Sequence, residues 1–580
     1  MQTEPTMNGP QQIIVNDDVS IVLAGQAGQG IQTIEQLCDR ILRKAGYNVF
    51  STGEAMSRIR GGSNSTELRI SSLKIATCVD RMDIFIPLDG GAVAHCEKRI
   101  SPATLILGEK ASLPAAHPVV DVPLLQTAAE AGGRVYASSV AVGLVCALLD
   151  VPLDLVTAHL AQHFGSKKPD IAEKNAEAGR RGFALGEALV KNGTIKVAIA
   201  KDPIVKDELF MSGAEAISLG AIAGGCNFVS SYPMSPSTTV LTFLAQHKKE
   251  FGIVVEQAED EIAAVNMALG AWYAGARALV TTSGGGFALM CEGISLSGML
   301  ETPVVVHVGQ RPGPATGLPT RTEQADLELV LYAGHGEFPR VVFAPGTLAG
   351  AIEAMRRAFL LADKYQIPAF VITDQYFLDS NMFTPVIDLS ANAVEKNIVK
   401  TGADYKRYAL TENGISPRGV PGYGDGIVCV DSDEHTEEGY ITEDLDLRTA
   451  MVDKRLNKTK SIAEDIMPPR LVGPENFKNL VVCWGSNYYC VREALIRIGW
   501  GATAMLHITQ VHPLHAMVDV VMAKAQKIIV VENNATGQFA RYIKAFTPYT
   551  VHEHILKYNG MPFSVEEMIE KIKKATQQTS

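Results

Sequence analysis

The stretch VVEQAEDEIAAVNMALGAWYAGARALVTTSGGG, Val254 to Gly286, decides how this chain is read. A β-branched run leads into Glu256, Glu259, Asp260 and Glu261, then a helix of Ala, Gly and large apolar residues, then a second β-branched run closed by three glycines. This is the strand, helix, strand pattern of a parallel sheet. Acids in the first turn of a helix complement its dipole, so capping is the ordinary role for all four. Helical spacing separates them. With a start near Glu259, Glu261 shares a face with Ala264, Val265, Ala268 and Trp272 and points into a core. Glu259 falls on a mixed face with Asn266 and stays solvated, while Asp260, followed by Ala263, Ala264 and Met267, fits either side. The remainder is apolar nearly all round, which predicts a helix buried between layers. An inward carboxyl needs a partner, and a ligand nitrogen is a suitable one.

The same alternation of short β-branched runs and helical patterns continues almost throughout, so the expected fold class is α/β with several doubly wound domains. At 580 residues and 47% hydrophobic content, the chain has material for about three or four cores. A tail over residues 1–18 precedes a first block, 19–195, that opens with SIVLAG and closes with the helical KNAEAGRRGFALGEALVKNG. A second block, 206–376, holds FVSSYP, the opening stretch, ETPVVVHVG and RVVFAPG. Residues 377–474 are rich in Gly, Pro, Asn and charge and read as an extended connection, ordered by other domains or by a partner subunit. The last block, 475–575, runs through LVVCWGS, ATAMLHI and KIIVVENN to a helical tail.

Sixty-three acidic and 52 basic residues give a formal charge of −11 without long single-sign runs, which argues against nucleic-acid and membrane-surface partners. The N-terminal MQTEPTMNGPQQ has neither a basic nor an apolar leader region, and no apolar run is long enough to span a bilayer. The expected location is the cytoplasm. Nine scattered cysteines show no C-x-x-C spacing, so they read as reduced, buried thiols, and no residue of the chain is assigned to a metal.

Two glycine-rich turns carry weaker signals. GQAGQG, with Gly25, Gly28 and Gly30, follows a strand and opens a helix, so it is either a tight turn or a cradle for a phosphorylated or nucleotide-containing ligand. Ile31 and Gln32 stand where a P-loop needs Lys and Ser or Thr, which argues against an NTPase. GYGDG, Gly422 to Gly426, lacks an Asn at the interval that would complete a metal and diphosphate motif, and reads as a turn.

Glu261 at the head of EIAAVNMALGAWYAGARA resembles the acid that begins the pyrimidine-binding helix of thiamine diphosphate enzymes. In those enzymes it hydrogen-bonds the aminopyrimidine and promotes the imino tautomer that activates the cofactor. SSYPMSPST (Ser230 to Thr238), TTSGGGFALMCEG (Thr281 to Gly293), HVGQRPGPATGLPTRTEQADL (His307 to Leu327) and VENNATGQ (Val531 to Gln538) together resemble the α subunit of 2-oxoacid:ferredoxin oxidoreductases. GQAGQGIQT and SRIRGGSNSTELRIS (Ser57 to Ser71) resemble that family's γ component, fused here ahead of α.

The resemblance implies a pyrimidine-type domain over 206–376 and a transketolase C-terminal-like domain over 475–575. It implies Glu261 as the catalytic acid, and Tyr232, Pro233, Ser283, Gly284 and Gly285 as thiamine diphosphate contacts. It places the substrate carboxylate on Arg311 and on the hydroxyl of Ser235, where the family usually has Thr. Thr320 and Arg321 support that site or meet the substrate's distal end, with a surface salt bridge the alternative for Arg321. Gly25, Gly28 and Gly30 become the candidates for CoA or a nucleotide. Mg²⁺ and the [4Fe-4S] cluster are expected on a β subunit, with the cofactor shared between subunits, ferredoxin reached through β, and a dimer of heterodimers as the assembly.

The implied reaction is CoA-dependent oxidative decarboxylation of a 2-oxoacid, reversible at low potential. 2-Oxoglutarate is favoured, with pyruvate and branched-chain or aromatic 2-oxoacids as alternatives. A non-redox thiamine decarboxylase would carry its diphosphate motif in this same chain. A noncatalytic assembly subunit binding CoA or a nucleotide is the other reading.

Overall fold

The computed structural model describes residues 13–56, 62–165, 169–388 and 394–577. Most of the expected tail, residues 1–12, and the first five residues of the SRIRG run, 57–61, lie outside the described residues. The chain divides into two compact units, one comprising residues up to Phe210 with Ser380–Val386, the other Met211–Asp379 with Ile387 onward. Among the described residues no helix is long and apolar enough to cross a membrane.

The first unit is built on an eight-stranded mixed sheet. Asp18–Gln26 pairs parallel with Ile84–Pro87 and antiparallel with Ser63–Ser71, and Ser63–Ser71 pairs antiparallel with Asn48–Glu54. Helix Ile31–Ala45 turns Ile34, Leu37 and Ile41 onto Val19, Ile21 and Leu23. Helix Ala137–Leu148, buried at every position, crosses helix Pro169–Lys191 backbone to backbone. A Cβ on Gly182 would fall 2.0 Å from the Val140 carbonyl oxygen, which explains the small residues of AEAGRRG.

The second unit holds a seven-stranded sheet in the order Val254–Gln257, Phe228–Ser231, Ala278–Thr282, Val304–Gln310, Pro368–Asp374, Val341–Phe343, Gln510–His512. Only the last strand is antiparallel to its neighbour. All residues of VVVHVGQ and PAFVITD are buried, as parallel strands covered on both faces require. A five-stranded, mostly parallel sheet follows, in the order Arg470–Val472, Thr503–His507, Asn479–Cys483, Lys527–Glu532, Glu553–Leu556, with its first strand contributed by the end of the 377–474 segment and the rest by the final block. That block also lends strand Gln510–His512 to the larger sheet.

Three observations differ from the expectations. Ile13–Asn16, placed in the tail, pairs parallel with Ile195–Ala198. Within 377–474, the segment read as an extended connection, Asn381–Thr384 joins the first unit's sheet and Leu445–Ile462 is an 18-residue helix. The buried face of that helix is made of Lys454, Arg455 and Lys458 as much as of Met451 and Ile462. Lys454 Nζ and Lys458 Nζ both lie 2.6 Å from the Glu301 carboxylate. Burial pushes that carboxyl up, but Lys458, Lys454 and Arg407 outweigh it and hold it well below the usual range. A helix docked through ion pairs shows no apolar period. Third, helix Glu261–Tyr273 is buried on one face only, because Ile262 and Met267 are 51% and 37% exposed.

Residues 394–420 are tied down by the same chemistry. The Asp363 carboxylate is buried between the guanidinium groups of Arg277 and Arg418 and accepts the Asn397 amide at 3.2 Å. Asp363→Ala leaves two buried cations unpaired and is expected to cost about 3–5 kcal/mol, read from the denaturation midpoint of the second unit. A cost under about 1 kcal/mol would show that water already solvates those guanidinium groups.

Candidate active site

Four neighbouring parallel strands, 254–257, 228–231, 278–282 and 304–310, end at one edge of the second unit's large sheet. Ligand sites of α/β sheets lie beyond such carboxyl ends. The loops leaving these strands carry Asp260 and Glu261, Tyr232 to Ser235, Ser283 to Gly286, and Arg311. The sheet thus gathers residues up to about 80 positions apart in sequence.

The helix of the opening stretch begins at Glu261, two residues later than expected, with Asp260 as its cap: Asp260 Oδ1 accepts the Ala263 amide at 2.7 Å. That settles Asp260 as structural. Glu259 is exposed. Glu261 is 3% exposed, and its Oε1 is buried with no hydrogen-bond partner among the described residues. Gly286 lies against it, where a Cβ would stand 2.6 Å from Glu261 Oε1 and 2.2 Å from Thr282 Oγ1. The glycine therefore lets the next backbone reach the carboxyl. Ser230 Oγ donates to the Ala264 carbonyl at 2.7 Å and fixes the helix to the sheet.

Ser283 and Asp326 both precede short helices, Gly284–Leu289 and Leu327–Leu331, at positions where such side chains usually cap. Neither does. Ser283 Oγ and Asp326 Oδ2 are buried without a hydrogen bond, in contrast to Asp89, Thr347 and Asp444, which cap their helices. Asp326 presses on Gly284, where a Cβ would be 2.3 Å from Oδ2. Burial raises the Asp326 carboxyl to about 6 against the pull of Arg311, and burial with the charge of Asp326 raises Glu323 to about 7. Sequence reasoning missed Asp326 and Glu323, since an Asp ahead of a helix reads as a cap.

Arg311 Nη1 donates to the Ser235 backbone carbonyl at 2.6 Å, which brings these two expected residues together through the backbone and leaves the Ser235 side chain exposed. Burial lowers the Arg311 pKa, with Asp326 opposing. Tyr232 is exposed and Pro233 partly so, on the same loop. Arg321 is held elsewhere, with Nη1 3.7 Å from Met561 Sδ and the Thr322 amide donating to the Gly560 carbonyl. Thr320 is partly exposed beside it. His307 bridges Thr281 Oγ1 and Thr373 Oγ1 inside the sheet, and burial lowers it to about 3, so it serves as a neutral tie between strands.

Gln324, fully buried, joins this loop to the smaller sheet. Its Nε2 donates to the Trp484 carbonyl at 3.2 Å, and its Oε1 accepts from Asn487 Nδ2 at 2.8 Å and from the Asn533 amide at 3.0 Å. Gln310 Oε1 holds the Asp326 amide at 3.0 Å. In VENNATGQ, Glu532 accepts the Phe539 and Ala540 amides, while Asn534 Nδ2 donates to the Gln324 carbonyl.

In the first unit, Gly28 and Gly30 have φ of 95° and 80°, which favours glycine at both turns. The Gln26 amide is taken by Asp89 Oδ2 and Gln29 Oε1, and the Ala27 amide by the Gly62 carbonyl. Part of the expected anion cradle at Gly25, Gly28 and Gly30 is therefore already satisfied.

An α/β chain with a buried, unpartnered acid at the head of a helix, beside a glycine run, matches a cofactor-binding class. Residues 219–454 match the family described as "Pyruvate flavodoxin/ferredoxin oxidoreductase, thiamine diP-bdg", and residues 20–185 match "Pyruvate ferredoxin/flavodoxin oxidoreductase". The chain is 32% identical to the 2-oxoacid:ferredoxin oxidoreductase subunit alpha of Sulfolobus sp, over 96% of each chain. It is 28% identical to the 2-oxoglutarate oxidoreductase subunit KorA of Mycobacterium tuberculosis, over 95% of this chain and 90% of that one. A solved 2-oxoglutarate:ferredoxin oxidoreductase from Magnetococcus marinus, with 2-oxoglutarate, coenzyme A and succinyl-CoA bound, superposes with a TM-score of 0.90 at 32% identity. That likeness covers 97% of this chain and all of that one. The chain belongs to the 2-oxoacid:ferredoxin oxidoreductases as an α subunit, and so to an oxidoreductase acting on 2-oxoacids.

The Gln324 joint can be tested alone. Gln324→Ala strands the Trp484 carbonyl, the Asn487 amide nitrogen and the Asn533 amide, at an expected cost of about 2–4 kcal/mol. Hydrogen exchange should then accelerate over 322–327 and 533–538 while strands 278–282 and 304–310 stay protected. Uniform acceleration would mean that Gln324 supports the whole core.

Proposed function

We propose that this subunit activates thiamine diphosphate through Glu261 in a CoA-dependent oxidative decarboxylation that yields acyl-CoA, CO₂ and reduced ferredoxin. The observation that carries the reading is the unpartnered Glu261 Oε1 at the glycine run, a buried acceptor that a ligand donor would satisfy. The residues fit the cofactor: Glu261 would meet the aminopyrimidine, Gly284 and Gly285 allow close backbone approach, and Tyr232, Pro233 and Ser283 line the neighbouring loops. When bound, thiamine diphosphate supplies the electron sink for the pair left as CO₂ departs. This chain's own part is to orient the ring, to hold a proton at Glu261 and to keep water from it.

Arg311 would bind the substrate carboxylate as a guanidinium fork, with the exposed Ser235 hydroxyl as a second donor. 2-Oxoglutarate is the proposed substrate, supported by the ligands of the Magnetococcus marinus structure and by the names of several relatives. Thr320 and Arg321 are the proposed contacts for its distal carboxylate, which requires the Arg321 guanidinium to turn from Met561. CoA would draw on Gly25, Gly28 and Gly30. A β subunit would bring Mg²⁺, the diphosphate site and the [4Fe-4S] cluster that passes electrons to ferredoxin, in a dimer of heterodimers. The open face at Ile262 and Met267 supports such a cover on the catalytic helix.

The test is co-expression with the β partner and CoA-dependent viologen reduction over a panel of 2-oxoacids. Turnover by this chain alone, or none with any 2-oxoacid, would sink the proposal. Glu261→Gln should retain the wild-type melting temperature and lose about 10²–10⁴-fold in kcat, while Glu259→Ala stays within about twofold. Equal losses from both would assign the wrong acid.

A further inference from the structure

We propose that binding of the 2-oxoacid carboxylate at Arg311 draws a proton onto the acid pair Asp326 and Glu323, which makes substrate capture a proton-coupled step. The inference rests on the reading of Arg311 as the carboxylate site. Three observations carry it. The loop holding both acids is clamped, by Gln324 on Trp484, Asn487 and Asn533, and by Gln310 Oε1 on the Asp326 amide, so the backbone that carries them is fixed. Asp326 occupies a capping position yet withholds its side chain, and Oδ2 is buried against Gly284 with no hydrogen bond. Gln310 Oε1, by holding the Asp326 amide, sets Asp326 beside Arg311, whose charge acts on it, and Glu323 stands three residues away on the same clamped loop and feels the charge of Asp326.

Charge arithmetic gives the direction. With both acids ionised, one guanidinium faces two carboxylates, and an arriving substrate carboxylate makes three. In a partly desolvated site that excess is costly, and protonating one acid is the least disruptive relief. Arg321 is turned toward Met561, and Glu261 contacts Gly286, two residues along the helix from Gly284 and therefore on a nearly opposite side. Burial already holds the two acids at about 6 and 7, so near neutral pH a nearby anion can tip either one. The linkage sign follows: substrate favours the protonated pair, so affinity is full below about pH 6 and falls as pH rises through and above 7, by at most about tenfold per pH unit. Protonated, the pair also offers an O–H donor next to the bound carboxylate.

The measurement is isothermal titration of the anaerobic α/β complex in two buffers of different ionisation enthalpy at pH 6, 7 and 8. The probe is the 2-hydroxyacid analogue of the preferred substrate, which keeps the carboxylate and cannot be decarboxylated. Wild type should take up about half to one proton per site at pH 7 to 8, and KM for the 2-oxoacid should rise with pH over the same range. Asp326→Asn with Glu323→Gln should abolish both the uptake and the pH dependence of KM, with tighter binding than wild type at pH 8. If the double variant misfolds, Glu323→Gln alone should cut the uptake at pH 7. Binding without proton uptake, or uptake unchanged in the variants, overturns the coupling and leaves the Arg311 site standing. No binding to wild type by any such analogue overturns both.

Discussion

A parallel sheet delivers the carboxyl ends of its strands to one edge, and the candidate site depends on that constraint. Strand order in the second unit is 254–257, 228–231, 278–282, 304–310, whereas sequence order begins at 228. The reversal between the first two puts the acid-bearing helix start at the outer end of the row and Arg311 at the inner end. The loop carrying Tyr232 to Ser235 and the glycine run stand between them. The inner strands 278–282 and 304–310 are buried on both faces, so the glycine run and Arg311 leave the sheet from its core.

Within that row the fold withholds hydrogen bonds it makes elsewhere. Asp89, Thr347 and Asp444 cap their helices, but Ser283 and Asp326 leave theirs uncapped, and Glu261 Oε1 accepts no hydrogen bond among the described residues. Each buried, unpaired polar group costs about 1–3 kcal/mol. Three of them are a large fraction of the roughly 5–15 kcal/mol by which a domain is stable. These open acceptors are what the proposed cofactor reading draws on. The glycines at 284 and 286 support the same conclusion, because each sits where a methyl group would collide with one of these acids.

How much of this was legible in the sequence depends on the kind of force involved. Glu261 could be picked from four acids because helical period is local, and its inward face was set by Ala264, Val265, Ala268 and Trp272. The open face with Ile262 and Met267 could not be read, since apolar composition does not say what lies opposite. The 445–462 helix escaped because its buried face is cationic and its partner, Glu301, is about 150 residues away. Strand Ile13–Asn16 escaped for a similar reason, its partner Ile195–Ala198 being distant in sequence. Asp326 was hidden by ambiguity, because an Asp just ahead of a helix reads as its cap, and this one makes no cap bond.

The second unit buries its acids in three distinct ways, and the contrast locates function better than burial alone. Asp363 and Glu301 are each matched by two cations, which offsets their desolvation and pins residues 394–462 to the domain. Asp374 and Glu532 are matched by hydrogen bonds instead, from Thr322, Ser486 and the Phe377 amide in one case and from Asn534 and the Phe539 and Ala540 amides in the other. These four acids account for their own burial. Glu261 and Asp326 have neither full charge compensation nor a hydrogen bond, and both abut the same glycine run. Since the fold supplies counterions and donors freely a few strands away, their absence at these two carboxyls sets this corner of the sheet apart as the candidate site.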